Sequence, residues 1–228
     1  MNIAIIPARS DSKRIKNKNI KLFLGKPIIS YVIDVLKKSK IFNKVIVSTN
    51  SNKIAEISKK FGADILFKRP IYLSTDHAST IDVIRHSINW LNKNNIYSKN
   101  ICCVYPTSVF LKHKNLKSAL KKLTYSKCDF VFSAKKFSHP LTRSFEIKKN
   151  RVLMNNKKFF NKRTQDLNKF YHDAAQFYWG KKDSWIKKKI IFSKNSTVEI
   201  IPEFESVDID NIEDWKFAEK LYLLNKKK

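Results

Sequence analysis

The chain has 228 residues, 43% hydrophobic and 12% aromatic, with a net charge of +28. That length and apolar content suit one domain with a sizeable core and exclude a disordered segment. The charge invites a nucleic-acid reading, but lysine outnumbers arginine 40 to 7 and is dispersed along the chain, so a solvated basic surface is expected rather than a polynucleotide groove.

Residues 3–8 form a short apolar run containing Pro7, the pattern of a buried strand. They show no basic leader or cleavage site, so the expected compartment is the cytoplasm. Residues 9–18 are polar and basic, a loop. Apolar residues at 28, 29, 32, 33 and 36 then share one helical face, with Pro27 suited to the first turn. This stretch is also the longest apolar run, and Ser30, Tyr31 and Asp34 interrupt it, so no membrane span is expected. A β-branched strand is predicted over 44–49, a helix over 52–61 closed by Gly62, and a short strand over 64–67. A helix over 80–91 carries Ile81, Ile84, Ile88 and Leu91 on one stripe. Strand 100–105, helix 113–123 and strand 129–134 follow.

Alternating strands and helices predict an α/β fold with a mainly parallel sheet and helices on both faces. The rhythm breaks after residue 138. Residues 146–153 read as a hairpin turning at Lys149-Asn150, although the usual glycine is missing. A strand over 170–178, a strand over 197–201 and a helix over 211–224 complete a single domain, 1–228, with 139–175 as an arm on the main sheet. Cys102, Cys103 and Cys128 are odd in number and lack metal-ligand spacing, so they read as reduced thiols.

Three constellations carry chemistry. The first follows the first strand: Arg9-Ser10-Asp11-Ser12-Lys13-Arg14 through Lys18-Asn19. Open α/β sheets bind ligands at strand carboxyl ends, and a loop of small residues with Arg9, Lys13 and Lys18 supplies the donors and fixed charge a polyphosphate needs. A merely basic surface loop is the competing reading. It is not a Walker A loop, because the spaced glycines are absent. The second is Asp208-Ile209-Asp210: carboxylates two residues apart on an extended segment share a side and suit a hard cation such as Mg²⁺. One of them could instead cap the following helix. The third runs from Asn161 to Gly180 and is dense in hydrogen-bonding and aromatic side chains, with Arg163 suited to a carboxylate.

In this order the blocks resemble the CMP-nonulosonate synthetases, the acylneuraminate cytidylyltransferase family. Ile3-Ala4-Ile5-Ile6-Pro7-Ala8-Arg9, Ser12-Lys13-Arg14-Ile15 and Lys18-Asn19 are similar to its nucleotide loop, and Val207-Asp208-Ile209-Asp210 to its metal segment. Arg163-Thr164-Gln165-Asp166-Leu167 and His172-Asp173-Ala174-Ala175-Gln176-Phe177-Tyr178-Trp179-Gly180 resemble the pseudaminic acid branch rather than the sialic acid branch. The resemblance implies a Rossmann-like nucleotidyltransferase fold with a small dimerisation arm, hence a homodimer. It implies CTP and a nonulosonic acid as substrates and Mg²⁺ as cofactor. It places Arg9, Ser10, Ser12, Lys13, Lys18, Asn19, Arg69 and Thr80 on the nucleotide, with Arg9, Lys18, Asp208 and Asp210 as catalytic residues, the two aspartates holding the metal. Tyr105, Arg163, Gln165, His172, Gln176 and Tyr178 would line the sugar site. Three departures stand out: Ser10-Asp11 where relatives carry two glycines, Lys16 where they carry proline, and Ala175 where glycine is usual.

Overall fold

A computed structural model describes residues 1–226. Strand β1 (Asn2–Pro7) runs first; a small hairpin, β2 (Leu22–Phe23) and β3 (Lys26–Pro27), feeds helix α1 (Ile28–Ser39). Then come β4 (Lys44–Ser48), α2 (Asn52–Lys60), α3 (Thr80–Lys93), β5 (Asn100–Val104), α4 (His113–Tyr125) and β6 (Phe130–Lys136). A separate hairpin of β7 (Phe145–Lys148) and β8 (Arg151–Met154) precedes β9 (Tyr171–Lys181), α5 (Lys182–Ile186), β10 (Ser196–Ile200) and α6 (Ile212–Lys226).

The main sheet has the order β10-β6-β9-β5-β1-β4. Pairs β1–β4, β1–β5 and β6–β10 are parallel, while β9 runs antiparallel to both β5 and β6. The exception follows from connectivity. The chain leaves the sheet at the carboxyl end of β6, makes the β7–β8 arm and re-enters at the same end, so β9 must run back down. The strand expected over 64–67 is reduced to one bridge, Asp64 to Ile46. Beyond it Leu66 and Phe67 leave the sheet edge to pack in the core under α3.

Strand alternation sorts the core into two faces. Ala4, Ile6, Val45, Val47 and Cys102 face α1, α2 and α4, meeting Ile29, Ile33, Ile54, Leu116 and Ala119. Ile3, Ile5, Ile46, Ile101 and Cys103 face α3 and α5, meeting Ile84, Ile88 and Trp185. Trp185 comes close because Gly180 lies opposite: a Cβ there would sit 2.5 Å from the indole nitrogen and 2.6 Å from the Phe130 ring. The hairpin expected at Lys149-Asn150 forms with both residues left-handed, φ 49° and 58°, so asparagine and lysine do the work of the missing glycine.

A third cluster positions the site. Ile15, Phe23 and Ile28 pack with Ile209 and Trp215, joining the loop after β1 to the segment ahead of α6. Phe23 meets Tyr31, Trp215 and Tyr222 edge-on at 5.5–5.7 Å. Burying aromatic side chains of this size contributes about 1.5–3 kcal/mol each, so the two ends of the chain are held together near the sheet's carboxyl edge.

Candidate active site

From β1 the chain winds outward to β4, then crosses back to β5 on the other side of β1. Such a reversal opens a crevice at the strands' carboxyl ends, where open α/β sheets take their ligands. Here it is a cleft of about 640 Å³. Of the residues singled out in the sequence, Arg9, Ser12, Lys13, Lys18, Asn19, Arg69, Thr80, Tyr105, Asp208 and Asp210 all line it. Ser10 does not. Its N–H donates to Asn50 Oδ1 at 3.0 Å and its hydroxyl accepts from Asn50 Nδ2 at 2.9 Å, tying the loop to the end of β4.

The loop is held by its own polar groups. Asn19 Nδ2 donates to the Arg9 carbonyl at 2.9 Å, and the left-handed turn falls at Asn17, φ 55°, not at Ser10-Asp11. The loop therefore forms with no left-handed residue at Ser10 or Asp11. Asp11 does face the cleft. So does Asp76, which sequence reasoning missed: its carboxylate pairs with Arg9 at 2.5 Å and Lys13 at 2.7 Å, and these partners hold it below the usual carboxylate range. Asp76 sits in an irregular segment ahead of α3, where no periodic signal marks it. Arg14 was visible in the loop motif but unassigned; it pairs with Asp210 at 2.8 Å.

Arg69 is only 4% exposed. Its backbone N–H donates to the Thr49 carbonyl at 2.8 Å, which pins it beneath the β4 end. Among the described residues Nε and Nη2 have no partner. Burial, then neighbouring Arg9, pushes the guanidinium down to about 10. A buried arginine with unpaired N–H groups on a cleft wall is built for an acceptor-rich ligand.

Asp208 and Asp210 meet the loop from the opposite end of the chain. Asn211 Oδ1 accepts the N–H groups of Glu213 and Asp214 at 2.8 and 2.9 Å, and Asp214 returns bonds to the N–H groups of Asp210 and Asn211, both at 2.9 Å. Asn211 thus caps α6, and neither aspartate is spent on the helix. Lys18 Nζ donates to the Ile209 carbonyl at 2.8 Å and lies 3.5 Å from Asp210, bridging loop and acidic segment. Asp208 has no hydrogen-bond or ion-pair partner among the described residues. Its side chain is exposed to the cleft; partial desolvation by the surrounding cleft wall, then Asp210, raises its carboxyl above the usual value.

No group of three His, Cys, Asp or Glu gathers among the described residues as a metal cluster. Two carboxylates, one of them unpaired, fit a hard divalent cation that completes its shell with water and phosphate oxygens.

The sugar candidates are scattered. Tyr105 lines the cleft, its hydroxyl 3.1 Å from Thr80 Oγ1. Tyr178 lies behind it, ring centroids 5.5 Å apart. Gln176 is buried, its Nε2 donating to the Glu205 carbonyl at 2.5 Å. His172 packs on Phe137 at 4.6 Å, away from the cleft. Arg163, its side chain 73% exposed, pairs with Asp166 at 2.9 Å in the arm, and Gln165 lines a separate recess there with His139. In place of Gln176 and His172, Ala175 reaches the cleft, at φ 50°.

Residues 3–227 match the family described as cytidylyltransferase. The chain belongs to the cytidylyltransferase family. A pseudaminic acid cytidylyltransferase of Campylobacter jejuni is 40% identical over 225 residues, covering 98% of this chain and 97% of its own. An N-acylneuraminate cytidylyltransferase of Escherichia coli is 31% identical over 219 residues, covering 95% of this chain and 51% of its own. Among solved structures, a CMP:2-keto-3-deoxy-manno-octonic acid synthetase complexed with CTP aligns with TM-score 0.72 over 98% of this chain and 99% of that one. At 13% identity that likeness concerns the fold alone. This cytidylyltransferase is an enzyme with the Rossmann-like nucleotidyltransferase fold expected from its sequence. No helix among its described residues is long and apolar enough to cross a membrane.

Proposed function

We propose that this cytidylyltransferase moves CMP from CTP onto a nonulosonic acid, pseudaminic acid, releasing pyrophosphate. One observation carries the reading: a cationic loop after β1 and an aspartate pair before α6 face one another across a single cleft at the sheet's switch point. The name of the 40% identical relative supports the choice of sugar. The cleft also carries Asp11, Asp76, Asp208 and Asp210 in a chain of only 19 acidic residues. That concentration of carboxylate opposes a polynucleotide backbone and suits a site that manages metal and phosphate together.

In this reading Arg9, Lys13 and Lys18 take the triphosphate, with Ser12 and Asn19 as neutral donors and Ser10 bracing the loop. Arg69 offers its unpaired N–H groups, with Thr80 beside it, to the acceptor-rich cytidine end. Asp208 and Asp210 would hold Mg²⁺, which would offset negative charge on the phosphate oxygens. The sugar's anomeric hydroxyl gives up its proton to solvent as its oxygen bonds the α-phosphorus, the α–β bridging P–O bond breaks, and pyrophosphate departs. Phosphoryl transfer needs in-line positioning and offset of spreading charge, and Lys18, at the junction of loop and acidic pair, is poised for both.

The arm supports a homodimer. Phe145, Ile147, Val152, Leu153 and Phe160 are all exposed there, Ile147 at 69%, an apolar face suited to a second copy of the chain. Arg163 and Gln165, remote from their own cleft, would then serve the sugar's carboxylate in the other protomer. The cytoplasm, where CTP is made, is the fitting compartment.

The test is pyrophosphate release from CTP with Mg²⁺ against a panel of pseudaminic, legionaminic and sialic acids. Pseudaminic acid should give the highest kcat/KM; preference for another acid overturns the sugar assignment, and turnover with none overturns the activity.

A further inference from the structure

The motif His172-Asp173-Ala174-Ala175-Gln176 was expected to reach the sugar through its histidine and glutamine, yet neither side chain faces the cleft. Strand β9 pairs regularly with β6 from Tyr171 to Asp173 and from Tyr178 to Gly180, and the register slips between Phe132 and Ala134. The slack gathers at Ala175, the one left-handed residue within the main sheet among the described residues. Bulges of this kind re-aim a strand beside a site. Ser133 Oγ accepts the N–H groups of Gln176 and Phe177 at 3.1 and 3.2 Å, so the bulge is internally bonded.

Asp173 organises what the bulge presents. Its Oδ1 accepts the Ala175 N–H at 2.8 Å, an Asx turn that supports an alanine in a conformation normally left to glycine. Its other oxygen accepts the Tyr178 hydroxyl. Tyr178 packs beside Tyr105 with the rings tilted by 58°, and Tyr105 lines the cleft with its hydroxyl on Thr80 at the start of α3. Burial pushes both phenols up, Tyr105 to about 12, so both remain neutral donors at physiological pH. With the Tyr178 proton committed to a carboxylate, its oxygen is left as a fixed acceptor toward Tyr105.

Building on the cytidylyltransferase reading above, we propose that Asp173 is a positioning residue for the acceptor end of the cleft. A single carboxylate fixes both the Ala175 turn and the Tyr178–Tyr105 pair against which the acceptor sugar lies. Asp173 itself touches no substrate. Its influence passes directly through Ala175 and, by way of Tyr178, through Tyr105, both of which line the cleft.

The experiment is a double-mutant cycle on the full-length enzyme with Asp173→Asn, Tyr178→Phe and the pair together. Asparagine keeps an acceptor for Ala175 but cannot fix the Tyr178 proton. Each single variant should raise KM for the acceptor sugar about tenfold, the loss of one oriented hydrogen bond. The dissociation constant for CTP, measured by calorimetry without sugar, should stay within about twofold because that end of the cleft is untouched. The pair should be no worse than either single variant. Adding Ala175→Gly to Asp173→Asn should recover melting temperature but not acceptor KM, which separates positioning from simple support of the fold. Equal losses for CTP and acceptor, additive losses, or an unchanged acceptor KM would each overturn the proposal. Failure of the sugar assignment looks different: wild-type enzyme itself would prefer another nonulosonic acid, and the cycle is then read with that acceptor.

Discussion

Arg69 offers the sharpest test of the site, because free protein and complex should respond in opposite directions. Replacing it with methionine keeps a long flexible side chain and removes the buried guanidinium. Each buried, unpaired N–H costs about 1–3 kcal/mol, so the two orphaned groups together weaken the empty protein by roughly 3 kcal/mol. The guanidinium's fall to about 10 has the same origin and the same order of magnitude. Because that value lies below the unfolded one, the penalty is fully present at every pH below about 10 and fades only as pH rises beyond it. At pH 7.5, Arg69→Met should therefore raise the melting temperature of the nucleotide-free enzyme by roughly 6–12 °C, at about 2–4 °C per kcal/mol for a chain of this size. The same variant should bind CTP about a hundredfold more weakly, having lost charge-assisted bonds worth about 3 kcal/mol. Scanning fluorimetry with and without CTP, and calorimetry for the affinity, read both effects. A variant that melts lower than wild type, or binds CTP within threefold of it, would refute the reasoning.

Asp208→Asn should likewise raise the melting temperature in chelator while turnover with pseudaminic acid drops by about two orders of magnitude or more. The sign follows from its raised carboxyl. A folded value above the unfolded one weakens the fold as pH rises through that interval, so at neutral pH the charge is unfavourable and its removal is a relief. On acidification Asp208 should protonate before an ordinary aspartate, and Mg²⁺ affinity should decline at a correspondingly higher pH, read by titration calorimetry. Asp76→Asn should tighten CTP binding severalfold at low salt by freeing Arg9 and Lys13, and the gain should shrink in about 0.3 M salt as screening sets in. Ala175→Gly should stabilise the enzyme by up to about 1 kcal/mol, whereas Ala175→Val should destabilise it by about 2 kcal/mol, since a β-branched residue resists φ 50°. Denaturant titration distinguishes the two.

The sheet and its helices were legible because the continuous apolar and β-branched runs over 3–8 and 44–49 and the helical apolar stripes over 28–36, 80–91 and 113–123 are local and strong. The orientation of β9 was not, because it is set by where the arm re-enters rather than by the strand's own residues. The 64–67 segment misled because a short apolar run serves equally as strand or as core-packing loop, and here Phe67 went beneath α3. The loop cations and the aspartate pair were legible from type and spacing, and only the fold could bring them together, Lys18 and Ile209 lying 191 positions apart. Asp76 escaped because its partners Arg9 and Lys13 are distant in sequence and no periodicity marks it; Asp173 stood inside the quoted motif, but its role, reached through a strand bulge, was not legible there. Asn211, not an aspartate, proved to cap α6, a choice between adjacent polar residues that only the hydrogen bonds decide.

A crystal structure of the enzyme with Mg²⁺ and a non-hydrolysable CTP analogue addresses the central claim most directly. The triphosphate is expected on Arg9, Lys13 and Lys18, with Asp76 displaced and Asp208 and Asp210 on the metal beside the α-phosphate. A triphosphate bound elsewhere, or one bound in this cleft with both aspartates turned from the metal, would contradict it.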